Sequence, residues 1–81
     1  MTVKVLFFAK LREKMGISEV NFTLNQSITL NEFQTLFATE YPLFSDLPQP
    51  IVVAINQEFA QPDQLVSSGD EVAFFPPVTG G

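Results

Sequence analysis

The chain has no cysteine and no histidine. Without cysteine it has no disulfide staple, no thiolate nucleophile and no mark of an oxidising compartment. Without histidine, no side chain is poised near neutral pH for proton transfer. The usual structural zinc sites draw on both residue types, so no metal site is expected. Basic residues are scarce as well: four stand against nine acidic ones, for a net charge of −5. A phosphate backbone repels such a chain, which argues against nucleic acid and for a basic protein partner. Long apolar runs are missing too. Residues 5–9 run apolar between Lys4 and Lys10, which is shorter than a signal-peptide core. Nothing approaches the roughly 20 residues of a membrane span, so no membrane partner is expected and the expected location is cytoplasmic.

What is present is apolar. Eighty-one residues make one domain, 46% of them hydrophobic, with nine phenylalanines. A well-packed core must do the work that staples do in other small domains. The nine carboxylates show no pairing that suggests acid–base chemistry and read as solvated surface. There is no glycine-rich phosphate loop. The chain is therefore not expected to be an enzyme on its own; chemistry on it needs a partner's machinery.

Residues 3–9 alternate as a strand, with Val3, Val5 and Phe7 on one face. Lys4, Leu6 and Phe8 share the other, half-covered face, which makes Phe8 a candidate exposed aromatic. Residues 10–15 fit about one helical turn, closed by Gly16 as a left-handed cap. Residues 19–24 alternate again and predict a hairpin partner for the first strand. Thr29 and Glu32 form a capping box, with Ile28 and Phe33 placed as a hydrophobic staple. Leu30, Phe33 and Phe37 follow the i, i+3, i+7 spacing of one buried stripe, with Leu36 beside it. Pro42 ends that helix near Tyr41. Residues 42–50 and 62–68 read as irregular. Residues 51–55 fit a central strand buried on both faces, Asn56-Gln57-Glu58 turns into Phe59, and residues 71–75 form the last strand. There, Val72 and Phe74 share one face and Glu71, Ala73 and Phe75 the other. The expected fold class is α+β: a β-grasp, ubiquitin-like mixed sheet covered on one face by one main helix. Its first and last strands lie adjacent and parallel. A plain α+β sandwich would give the same core residues.

The domain is expected to span residues 1–75, leaving 76–81 as an extended tail. Pro76 and Pro77 cannot continue the ladder and favour a polyproline-like path. At ~3.1 Å per residue, six residues reach about 18 Å. Gly80 and Gly81 carry no side chains and fit a narrow channel. A stiff stem with a bare tip, ending in an ionised α-carboxylate, suits a probe of another protein's active site.

Three stretches resemble the small subunit of molybdopterin synthase, the MoaD-type sulfur carrier. They are Val5-Leu6-Phe7-Phe8-Ala9 with Arg12-Glu13, Ala54-Ile55-Asn56-Gln57, and the run from Gly69-Asp70-Glu71 through Phe74-Phe75-Pro76-Pro77-Val78-Thr79-Gly80-Gly81. The resemblance implies that an E1-like adenylyltransferase activates the Gly81 carboxylate with ATP. Sulfur then replaces AMP to leave a thiocarboxylate. The tail enters the large synthase subunit and gives sulfur to cyclic pyranopterin monophosphate, forming the molybdopterin dithiolene. It implies an assembly of two small and two large subunits and no cofactor bound by this chain. Gly81 matches the sulfur-bearing residue and Gly80 its neighbour. Phe8, Phe59 and Phe75 match partner-docking positions, Arg12 a basic contact, and Pro76, Pro77, Val78 and Thr79 the inserted stem. Phe59 departs from the aliphatic residue the family pattern carries there. Two relatives in chemistry compete with this reading, a thiamine-pathway sulfur carrier and a ubiquitin-like protein modifier. A passive interaction module is a third.

Overall fold

The computed structural model describes residues 1–77. The expectations placed on Val78, Thr79, Gly80 and Gly81 lie outside the described residues.

A five-stranded mixed sheet forms the body. In chain order its strands are β1 (Thr2–Phe7), β2 (Glu19–Thr23), β4 (Val52–Ile55), β5 (Glu58–Phe59) and β7 (Glu71–Phe75), arranged β2-β1-β7-β4-β5. β7 is the middle strand. It runs parallel to β1, with Val5 opposite Val72 and Phe7 opposite Phe74. β2 pairs antiparallel with β1, and β4 antiparallel with β7. The β-grasp arrangement expected from the sequence is the one observed.

The main helix, α2 (Leu30–Glu40), starts where the capping box places it. The Thr29 hydroxyl oxygen accepts from the Glu32 N–H at 3.1 Å, and the Glu32 carboxylate accepts from the Thr29 N–H at 3.0 Å. Two orphan donors of the first turn are thereby satisfied. The Thr29 N–H, and after it the Thr29 hydroxyl, donate to the Glu32 carboxylate and hold it below its ordinary range. Leu30, Phe33 and Phe37 are buried against the sheet, and Ile28 packs on the same cluster. Leu36 does not share that stripe. It lies about a quarter-turn from the buried line at ~100° per residue and is exposed.

Several segments carry more structure than their patterns suggested. The first helix, α1 (Ala9–Met15), has seven residues and ends at Gly16 with φ 75°. It sits between β1 and β2, so these strands are antiparallel neighbours without a tight hairpin. After α2, residues Pro42–Asp46 make a 3₁₀ turn that drives Phe44 into the core, with Leu47 following. Within residues 62–68, β6 (Leu65–Val66) pairs with β3 (Ile28–Thr29) as a separate two-stranded ribbon. A two-residue strand has too few positions to show alternation. The strand expected over 51–55 begins at Val52 and lies one place from the sheet's edge, with β7 taking the centre. Its Val53 and Ile55 enter the main core, while Ala54 is buried on the opposite face.

The core is aromatic. Phe7, Phe22, Phe33, Phe37, Phe44 and Phe74 are all buried in one cluster, and Phe37 lies within 6.3 Å of each of the other rings. Such edge and offset pairs add about 0.5–1.5 kcal/mol each beyond area burial. This is how a small chain without disulfides holds together.

Candidate docking face and the root of the tail

Strand alternation sends half the side chains of β1, β4 and β7 away from α2. That outer face is lined by Leu6, Phe8, Ala54, Phe59, Ala73 and Phe75, with Gln57 and Glu71 at its border. The helix leaves it uncovered, because α2 packs on the side of Val5, Val72 and Phe74.

Two Phe-Phe pairs build its centre. Phe7 ends β1 and Phe8 follows it, Phe74-Phe75 ends β7, and the parallel register puts Phe7 beside Phe74. In each pair the first ring goes inward and the second outward. Phe7 and Phe74 stack in the core with centroids 5.5 Å apart. Phe8 and Phe75 stack outside at 4.7 Å and only 5° between planes. The Phe8 N–H donates to the Phe74 carbonyl at 3.2 Å and locks the two chain ends together. Phe8 stays 40% exposed and Phe75 half-buried.

Phe59 joins this face from the short edge strand β5, opposite Ala54. At 81% exposed it is the barest ring among the described residues. Its phase was not legible in the sequence, because β5 is two residues long. Arg12 lies on the exposed side of α1, one turn from Phe8, whose carbonyl accepts its N–H at 3.4 Å. Pro76 and Pro77 follow β7 directly and are half-buried. The structure thus gathers Phe8, Phe75, Phe59 and the root of the tail at one face. Lys10, Arg12 and Lys14 all project from α1, which begins beside that root. With Lys4 they are all the basic residues in the chain, and none follows Lys14. Net charge alone conceals this: the molecule is acidic, but its cations sit on the first strand and helix.

Among the described residues, no cluster of three or more acidic, histidine or cysteine side chains could hold a metal ion, and no helix is long and apolar enough to cross a membrane. Among the described residues no buried side-chain polar atom lacks a hydrogen-bond partner. The face is mainly apolar, with Glu71 and Gln57 at its border.

Comparison with known proteins agrees with this anatomy. The ThiS family model matches residues 5–81. The molybdopterin synthase sulfur carrier subunit of Escherichia coli is 37% identical, covering 98% of this chain and 99% of that protein. Its counterpart in Chlamydomonas reinhardtii is 35% identical over the full length of both. Among solved structures, SAMP1 from Haloferax volcanii superposes with a TM-score of 0.83 at 27% identity, covering 100% of both chains. A chain of the complex of subunits 1 and 2 of the molybdopterin-converting factor from Helicobacter pylori gives 0.68 at 22% identity, again over 100% of both, a likeness of fold alone. The chain belongs to the ThiS family, as a homologue of the molybdopterin synthase sulfur carrier subunits.

Proposed function

We propose that this protein carries sulfur as a thiocarboxylate on Gly81 and delivers it for molybdopterin synthesis. The observation that carries the reading is the uncovered Phe8–Phe75 stack at the root of the tail. A partner that grips this face is thereby in register to receive whatever the chain end bears.

The chemistry follows from the end group. A carboxylate is a poor electrophile until one oxygen is attached to a good leaving group. An E1-like adenylyltransferase supplies it: the Gly81 carboxylate attacks the α-phosphate of ATP, and pyrophosphate leaves. A sulfur nucleophile then displaces AMP. The chain contributes no acid, base or bound cofactor to these steps; ATP is bound and spent by the partner. Its own contribution is placement. Phe8, Phe59 and Phe75 grip the partner, Arg12 adds a charged contact, and Pro76 to Thr79 form the stem that carries Gly80 and Gly81 into the active site. The large synthase subunit binds cyclic pyranopterin monophosphate and takes the sulfur, in an assembly of two small and two large subunits. The Escherichia coli and Chlamydomonas reinhardtii homologues, both described as sulfur carrier subunits of molybdopterin synthase, support a synthase partner of this kind.

Intact-mass spectrometry tests the reading. Incubation with the adenylyltransferase, ATP and a sulfur donor is expected to raise the mass by the difference between sulfur and oxygen, with the change on Gly81. An unchanged mass would sink it. The likeness to SAMP1, described as a small archaeal modifier protein in a second structure, favours one alternative use of the same activated end: isopeptide attachment to lysines. That use predicts Gly-Gly remnants on other proteins, and carrier function alone predicts none.

A further inference from the structure

We propose that Asn56 and Asp70 are positioning residues for partner docking, acting through the hairpin that presents Phe59. The proposal rests on the docking role given to this face above.

Phe59 poses a physical problem. It is almost fully exposed, on an edge strand of two residues joined to the sheet at Ala54 and Ile55 and, just beyond, by the Ala60 N–H donating to the Val53 carbonyl at 3.0 Å. A strand that short is marginal unless something else holds it. The loop that leads to it is strained as well. Asn56 and Gln57 both have positive φ, 52° and 70°, as two-residue primed hairpin turns require. Asparagine tolerates that region, but glutamine visits it rarely, and such residues persist only when their surroundings over-determine them.

The Asn56 side chain supplies that determination. Its Oδ1 accepts the Glu71 N–H at 3.0 Å, and its Nδ2 donates to Asp70 Oδ1 at 3.1 Å. The Asn56 N–H donates to the Glu71 carbonyl at 2.8 Å. The hairpin tip is thus tied by three bonds to the start of β7. Asp70 is itself fixed. Its Oδ2 accepts the Ser67 N–H at 2.8 Å, and its carbonyl accepts the Lys4 N–H at 3.0 Å. The latch therefore joins β1, β7 and the hairpin at the end of β7 opposite the tail. It also joins two of the stretches that carry the family resemblance, 54–57 and 69–75.

The latch lies outside the core. Asn56 is exposed, and neither residue belongs to the apolar cluster. Removing it leaves core packing in place and frees the hairpin to sample other positions. A ring held in place before binding saves the ordering cost that a mobile ring would incur on docking. The latch thus acts on binding through Phe59.

A double-mutant cycle in the full chain, read as Kd for the large synthase subunit, tests this. Asn56→Gly removes the side chain while accepting positive φ. Phe59→Ala is expected to weaken binding about tenfold, and Asn56→Gly about three- to fivefold. The double variant should bind no more weakly than Phe59→Ala alone, while the two melting-temperature losses add. A swap provides the rescue. Asn56→Asp sets a carboxylate against Asp70 and should weaken binding; adding Asp70→Asn restores the pair with donor and acceptor exchanged, and affinity should return. A further loss of the same size for Asn56→Gly in the Phe59→Ala background, or a swap that fails to restore binding, would overturn the positioning role. If Phe59→Ala itself binds like the parent, the docking assignment of Phe59 falls first and takes the latch with it.

Discussion

Replacing Phe75 with alanine separates docking from folding. The ring is half-buried and stacks face to face on Phe8 at 4.7 Å. A fully buried aromatic removes about 150–250 Å² from water. Half of that, less the β-carbon that alanine keeps, is worth about 2 kcal/mol at ~25 cal/mol per Å². Its neighbour Phe74 is fully buried, and cutting it to alanine should cost about 3–5 kcal/mol through the cavity it leaves. A domain with the usual stability of about 5–15 kcal/mol survives the first change comfortably, and the second only with a much lower midpoint. Binding should rank the two differently. A central interface aromatic contributes about 2 kcal/mol or more, or roughly 30-fold in Kd. The assay is calorimetric titration into the large synthase subunit, well below each variant's melting midpoint. Phe75→Ala should lose at least that affinity as a folded protein, while Phe74→Ala should bind nearly normally once folded. If Phe75→Ala melts as low as Phe74→Ala yet binds like the parent, the outer stack is core and the docking face is misassigned.

Other consequences can be checked with simple variants. Deleting Gly81 should abolish the sulfur-dependent mass gain without moving the melting temperature. Thr29→Ala removes the cap oxygen that accepts the Glu32 N–H and should cost about 1 kcal/mol in denaturant unfolding. The Glu32 carboxyl is held below its unfolded-state value, first by the bond from the Thr29 N–H and then by its hydroxyl. Its contribution to stability is therefore present above the unfolded pKa and lost as pH falls through the folded one. Glu32→Gln should flatten the acid limb of a stability–pH profile there; an unchanged limb would show that other carboxylates govern it.

The legible parts of the fold were those with repeating chemistry. Val3, Val5 and Phe7 alternate long enough to fix a face, and Thr29 with Glu32 marks a helix start by two reciprocal bonds. The same parity points Phe8 and Phe75 outward, where the structure has them. The illegible parts are short or set by tertiary contacts. β5 and β6 have two residues each, below the length at which a period exists. The 3₁₀ turn at 42–46 forms under a run containing prolines, and Phe44 is drawn inward by the rings of Phe7, Phe37 and Phe74. Leu36 borders the buried stripe at i+3 from Phe33, and the width of the covered face leaves it exposed. The Asn56–Asp70 latch spans 14 positions and had no local signal at all.

The parallel pairing of β1 with β7 makes the core and the docking face one structural decision. β1 ends at Phe7 with Phe8 next, β7 ends in Phe74-Phe75, and a single register sets Phe7 on Phe74 inside and Phe8 on Phe75 outside. A slip of one residue would reverse every side chain of the moving strand, burying an outer ring and exposing a core one. Stacked core rings resist that slip, so the energy that folds the chain also fixes the outer pair. The tail inherits the benefit, because Pro76 follows Phe75 immediately in the sheet's middle strand. A chain end hung from an edge strand would move with the fraying of that edge. Hung from β7, which is bonded on both sides by β1 and β4, Pro76 stays fixed relative to the Phe8–Phe75 stack. Under the function proposed above, that rigidity lets the domain define where the end group goes.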